Sequence, residues 1–240
     1  MAWGNTSSTH SPRCLHFTDI VQTGMIGDPI FDAYCASTTQ ALNNTAEQER
    51  TLQIAGIALL EKIGPVVLIT HSQGGLAGWS WTDARPHLVK ALIQIEPKGP
   101  PFREAIFSDT FTRPWGLTAI PLTYSPMPSD VNAAEPLSMK VVPSNSSGKT
   151  DCILQGEPAR QLTNFKDVPI LIDTGEASYH ATYDYCFLDF LRQAGCQRVE
   201  HLDLGKAGIH GNAHLQFLEK NSDEIVVVLE SWISKTVSAV

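Results

Sequence analysis

The sequence has no apolar run approaching a membrane span. Its longest such stretches, Ile54–Leu60 and Ile225–Leu229, fall far short of the ~20 residues a spanning helix needs. Met1–Ile20 carries no apolar core of a signal peptide. Basic clusters are missing as well. Seventeen Lys and Arg face 25 Asp and Glu, a net charge of −8, so nothing in the chain rewards a phosphate backbone and nucleic acid is excluded as a partner. Cysteine is scarce: Cys14, Cys35, Cys152, Cys186 and Cys196 form no CxxC pair and are too scattered for a disulfide scaffold. Cys186 and Cys196 flank an expected helix, whose length argues against their pairing. There is no phosphate loop either, because Gly148-Lys149-Thr150 has Pro143 where the upstream glycine should stand. Asn5, Asn43 and Asn145 each begin an N-x-S/T triplet, which matters only in a secreted protein. The compartment stays open.

With 240 residues and 42% hydrophobic content, the chain can bury one sizeable core and not two. Segment 1–44 is polar and without periodicity, and is expected to be irregular. Thr45-Ala46-Glu47-Gln48 reads as a capping box, opening a helix to about Lys62 that Gly64 and Pro65 end. Val66–Thr70 is a short apolar run of the kind buried on both sheet faces. Three further strands are expected at Ala91–Ile95, Val168–Asp173 and Val199–Leu204, with helices to about Asp83, around Thr182–Ala194 and over Asn221–Ser234. Strand and helix alternate, which specifies an α/β fold: a mostly parallel sheet covered by helices, with about four core strands readable. Segment 97–166 is broken by ten prolines and reads as a lid-like insertion in one domain over 1–240.

The chemistry concentrates at Thr70-His71-Ser72-Gln73-Gly74-Gly75, where a strand runs into a serine and then a helix. This is the context of a nucleophile elbow, with Thr70 in place of the first glycine of G-x-S-x-G. Ser72 is the candidate nucleophile. The backbone N–H of Gln73 is the candidate oxyanion donor, helped by the helix N-terminus. A serine hydroxyl needs an adjacent base, and two histidines, His210 and His214, follow the last strand. A metal pair at that spacing would need a helix, which Gly208 and Gly211 oppose. No metal or cofactor is expected.

The block from His214 through Leu215-Gln216-Phe217-Leu218-Glu219 to the helix ending Trp232-Ile233 resembles the C-terminal block of α/β-hydrolases. That resemblance implies His214 as base and His210 as a neighbour. The common acid position after the third strand aligns with Ser178 and looks empty. The runs Glu96-Pro97, Gly99-Pro100-Pro101-Phe102 and Arg113–Thr118 resemble a branch of bacterial and fungal esterases that takes its acid from the strand after the nucleophile. The resemblance therefore implies a triad of Ser72, Glu96 and His214, with Glu176 and Asp173 as fallback acids. Trp79 and Trp81 read as packing residues, and Trp115 as a weak binding candidate.

The fold of that family carries earlier strands and an oxyanion loop, and no counterpart is legible before Val66. The chain is thus expected to be N-terminally incomplete, with Val66–Thr70 at an open sheet edge prone to self-association. Two functions follow. One is a serine esterase acting on a small-molecule ester. The other is a non-catalytic or weakly active remnant that binds a ligand or partner chain.

Overall fold

A computed structural model of the chain describes residues 25–38, 42, 44–105, 108–131 and 136–237. They fall into two units, which in sequence are Met1–Asn43 and Asn44–Val240. In the first unit, where irregular chain was expected, Pro29–Ser37 forms helix α1. Asp28 starts it by accepting from the N–H groups of Ile30 and Phe31, with Pro29 at the first helical position. The expectation of irregularity for 1–24 lies outside the described residues.

The second unit begins with α2, Thr45–Ile63. Its cap is Asn44, one residue before the expected Thr45: the Asn44 side chain accepts from Glu47 N–H, an arrangement asparagine favours over most residues. Gly64, at φ 85°, ends the helix. Next come strand β1 (Val66–His71), helix α3 (Gly75–Ala84) and strand β2 (Val89–Ile95). Segment 97–166 contains short strands β3 (Tyr124–Ser125), β4 (Met139–Val142), β5 (Cys152–Gln155) and β6 (Gln161–Leu162), joined in two small antiparallel pairs. Then follow β7 (Ile170–Thr174), α4 (Tyr185–Gln193), β8 (Val199–Asp203) and α5 (Ser222–Val237). The main sheet is parallel throughout, in the order β1-β2-β7-β8.

Alternation along the strands builds a core on each face. Leu92, Ile170 and Ile172 pack with Leu60, Trp79, Phe187 and Phe190 from α2, α3 and α4. Ile93, Ile95 and Leu171 pack with Ile225 and Leu229 of α5. Among the described residues β1 pairs only with β2, and Ile69 is 49% exposed. The apolar run at Val66–Thr70 is therefore an edge strand rather than one buried on both faces.

Segment 97–166 contributes to the core. Phe102, Trp115, Leu117 and Leu122 are buried in it. Trp115, a binding candidate by sequence, packs its ring against Tyr124, whose hydroxyl donates to the Trp115 carbonyl. A disulfide joins Cys152 on β5 to Cys186 on α4. The cysteine pattern gave no sign of it, because the pairing depends on the strand folding back against the helix. Among the described residues no helix is long and apolar enough to cross a membrane.

Candidate active site

β1 delivers its chain to a sharp turn at Ser72, whose φ is 55°. Left-handed backbone at a non-glycine residue is strained and clusters at functional sites. A 3-10 turn, Ser72–Gly74, then leads into α3. Gln73 N–H lies in its first turn, where amides lack intrahelical acceptors. The elbow is held from behind, since Lys98 N–H donates to the Ser72 carbonyl.

Thr70, the departure from G-x-S-x-G, has a structural reason. Its hydroxyl donates to Gln94 Oε1 at 2.6 Å, and Gln94 Nε2 donates to the Gly75 carbonyl. A Cβ at Gly78 would stand 2.6 Å from Gln94 Nε2 and 2.8 Å from Thr70 Oγ1. Small residues on α3 thus leave room for a polar clamp between helix and sheet.

Glu96 follows directly after β2, with φ 43° and no solvent exposure. His214 sits in the loop between β8 and α5. Its Nε2 is 2.9 Å from Ser72 Oγ, and its Nδ1 is 2.7 Å from Glu96 Oε2. Two further donors complete the carboxylate: Gly175 N–H to Oε1 at 2.8 Å and Ser178 Oγ to Oε2 at 2.7 Å. A Cβ on Gly175 would meet the Asn212 carbonyl at 2.5 Å, so only glycine fits there. Burial acts to raise the Glu96 carboxyl. The hydrogen bonds from His214, Gly175 N–H and Ser178 outweigh it and hold the group below its usual value. Glu96 is a carboxylate, placed to favour a charged imidazole.

Other rings surround His214. His180 is parallel to it within 3° at a centroid separation of 4.9 Å. Tyr179 and His71 tilt against it. His71 Nε2 donates to the His214 carbonyl at 2.8 Å, and burial lowers its basicity. Burial likewise pushes His180 down to about 3. Neutral His180 donates from Nδ1 to Asp184 Oδ1 and accepts at Nε2 from Tyr183. It therefore adds no positive charge beside His214. The loop itself is anchored by Glu219, which accepts from Ala213 N–H, and by Asn212, which is buried and exchanges amide hydrogen bonds with Asn221.

Candidate ligand atoms of Glu96, His180 and His214 lie within 4.8 Å of one another. Every ring nitrogen of the two histidines already faces a partner in Ser72, Glu96, Asp184 or Tyr183. Metal binding there would have to break those bonds.

No family model matches the sequence. The chain is 41% identical over 232 residues to a protein named probable secreted lipase phiG, from Fungal sp. (strain ATCC 74256). The match takes in 96% of this chain and 63% of that protein, so the chain spans under two thirds of its relative's length. Two solved structures share less. A novel bacterial esterase is 17% identical, with TM-score 0.46, over 75% of this chain and 41% of that one. The monoacylglycerol lipase of Paleococcus ferrophilus is 12% identical, with TM-score 0.43, over 78% and 75%. The fold itself is a four-stranded parallel sheet flanked by helices, with a serine in left-handed backbone between its edge strand and the next helix.

Within that fold the structure brings Ser72, Glu96 and His214 together and leaves His210 and the two fallback acids, Glu176 and Asp173, out of the hydrogen-bonded line. Glu176 is exposed and bonds His210 Nδ1 and Gly211 N–H. Asp173 is buried and bonds Gln216. Ser178, standing at the common acid position, serves as a donor to Glu96. The sequence reading missed Gly175, His180 and His71 as parts of the site. His71 was legible, being the residue before the serine. His180 carried no local signal, because its role comes from stacking on a residue 34 positions away in the sequence.

Proposed function

We propose that the chain is a serine hydrolase that cleaves small-molecule carboxylic esters through an acyl-enzyme on Ser72. The observation that carries this is the unbroken hydrogen-bonded line from Ser72 Oγ through His214 to Glu96, beginning at a serine with left-handed backbone. His214 Nε2 takes the Ser72 proton as Oγ attacks the ester carbonyl carbon. The negative charge that develops on the carbonyl oxygen is stabilised by Gln73 N–H. Glu96 stabilises the imidazolium, which then gives its proton to the leaving alkoxide as the C–O bond breaks. Water, deprotonated by His214, attacks the acyl-serine and regenerates Ser72. The name of the 41% identical relative supports the ester class. The test is hydrolysis of p-nitrophenyl acetate by wild type and Ser72→Ala in matched preparations. Loss of activity in the variant is expected, and equal rates above background would overturn the assignment.

The Cys152–Cys186 disulfide, together with a relative named as secreted, supports maturation in an oxidising compartment. A second reading, binding or self-association without efficient catalysis, draws on β1 standing at the edge of the sheet among the described residues and on exposed Ile69.

A further inference from the structure

Asp173 lies at the end of β7 beside the site and has no place in the reaction above. It is fully buried, and so is Gln216, two residues after His214. Gln216 Nε2 donates to Asp173 Oδ2 at 2.8 Å. The other two oxygens of the pair, Asp173 Oδ1 and Gln216 Oε1, are both buried and, among the described residues, neither accepts a well-formed hydrogen bond. Two orphaned acceptors on one hydrogen-bonded pair are costly, and a single proton on the carboxyl supplies the missing donor.

We infer that Asp173 is a neutral carboxylic acid whose hydroxyl donates to Gln216 Oε1, closing a two-bond ring that positions the His214 loop against the sheet. Asp173 also holds the other arm of the site, since its carbonyl accepts from Glu96 N–H. Two carboxyls thus stand at adjacent strand ends, with one ionised against His214 and the other kept protonated. The groups facing Asp173 agree. Burial raises it most, and the Glu96 carboxylate from β2 and Asp184 from the head of α4 raise it further. The Gln216 hydrogen bond and the adjacent Thr174 N–H oppose the rise, and the balance is about 8. Above that pH the carboxylate would turn Oδ1 against Gln216 Oε1 and loosen the loop.

The positioning role rests on His214 as the base, but the protonation state can be read without activity. Between the ordinary aspartate value and about 8 the folded chain holds a proton that the unfolded chain has released, so stability falls as pH rises. Denaturant unfolding between pH 5 and pH 7 should fall more steeply for wild type than for Asp173→Asn, by about one proton. An asparagine supplies the same donor and acceptor as the neutral acid. Asp173→Asn should therefore fold and keep kcat/KM at pH 7 within about 3-fold of wild type. It should also lack the alkaline fall in activity that the inference predicts for wild type near pH 8. Equal pH slopes, failure of the variant to fold, or an unmoved alkaline limb would overturn the inference. If Ser72→Ala keeps its activity, the nucleophile assignment fails while the unfolding slopes still report on Asp173.

Discussion

Glu96 shows how a residue's surroundings set its role. Three hydrogen-bond donors, His214, Gly175 N–H and Ser178 Oγ, keep a fully buried carboxyl ionised. Glu96→Gln should lower kcat by about 10³- to 10⁴-fold, because an amide favours the wrong imidazole tautomer. Glu176→Gln should stay within about 3-fold, since that carboxylate pairs with exposed His210. Steady-state kinetics on both variants checks the ordering, and the reverse result would move the acid to Glu176. The sign of the Glu96 shift also fixes a pH window. A depressed carboxyl stabilises the fold above its ordinary value and loses that contribution as pH falls through its lower folded value. Wild type should therefore exceed Glu96→Gln in denaturant stability at pH 7, and the gap should close below about pH 4. Ser178 was legible in the sequence only as an empty acid position, because a serine's donation to a carboxylate 82 residues earlier leaves no local pattern.

At the scale of elements, α3 and the His214 loop are seated by close polar contacts. Gly78→Ala forces a methyl group against Gln94 and Thr70 and should cost about 1–3 kcal/mol, visible as a lower Tm. Unchanged stability would mean that the clamp yields freely. Removing the β5–α4 disulfide with Cys152→Ser and Cys186→Ser closes off a cross-link spanning 34 residues and should cost about 2–4 kcal/mol. The elements that carry the site were readable in the sequence because each has a local cause: apolar runs for β2 and β7, Gly64 after α2, and a serine between strand and helix. The α1 helix was missed although Asp28-Pro29 is a cap followed by a favoured first residue. The short strands of 97–166 were hidden by prolines that interrupt periodicity without preventing antiparallel pairing.

Across the whole molecule, β1 is both the strand that delivers the nucleophile and the edge of the described sheet. Half-exposed Ile69 on that edge makes concentration-dependent association an expected outcome. Sedimentation of wild type against Ile69→Lys tests it, with association expected only in wild type. The line from Ser72 through His214 to Glu96 joins three loops that follow three different strands, and its assembly depends on the parallel order of the sheet. The most direct test is fluorophosphonate labelling of the full chain followed by peptide mass spectrometry. The account predicts one label, on the peptide containing Ser72, and none on Ser72→Ala. A folded wild-type chain that takes no label, or takes it on another residue, would contradict it.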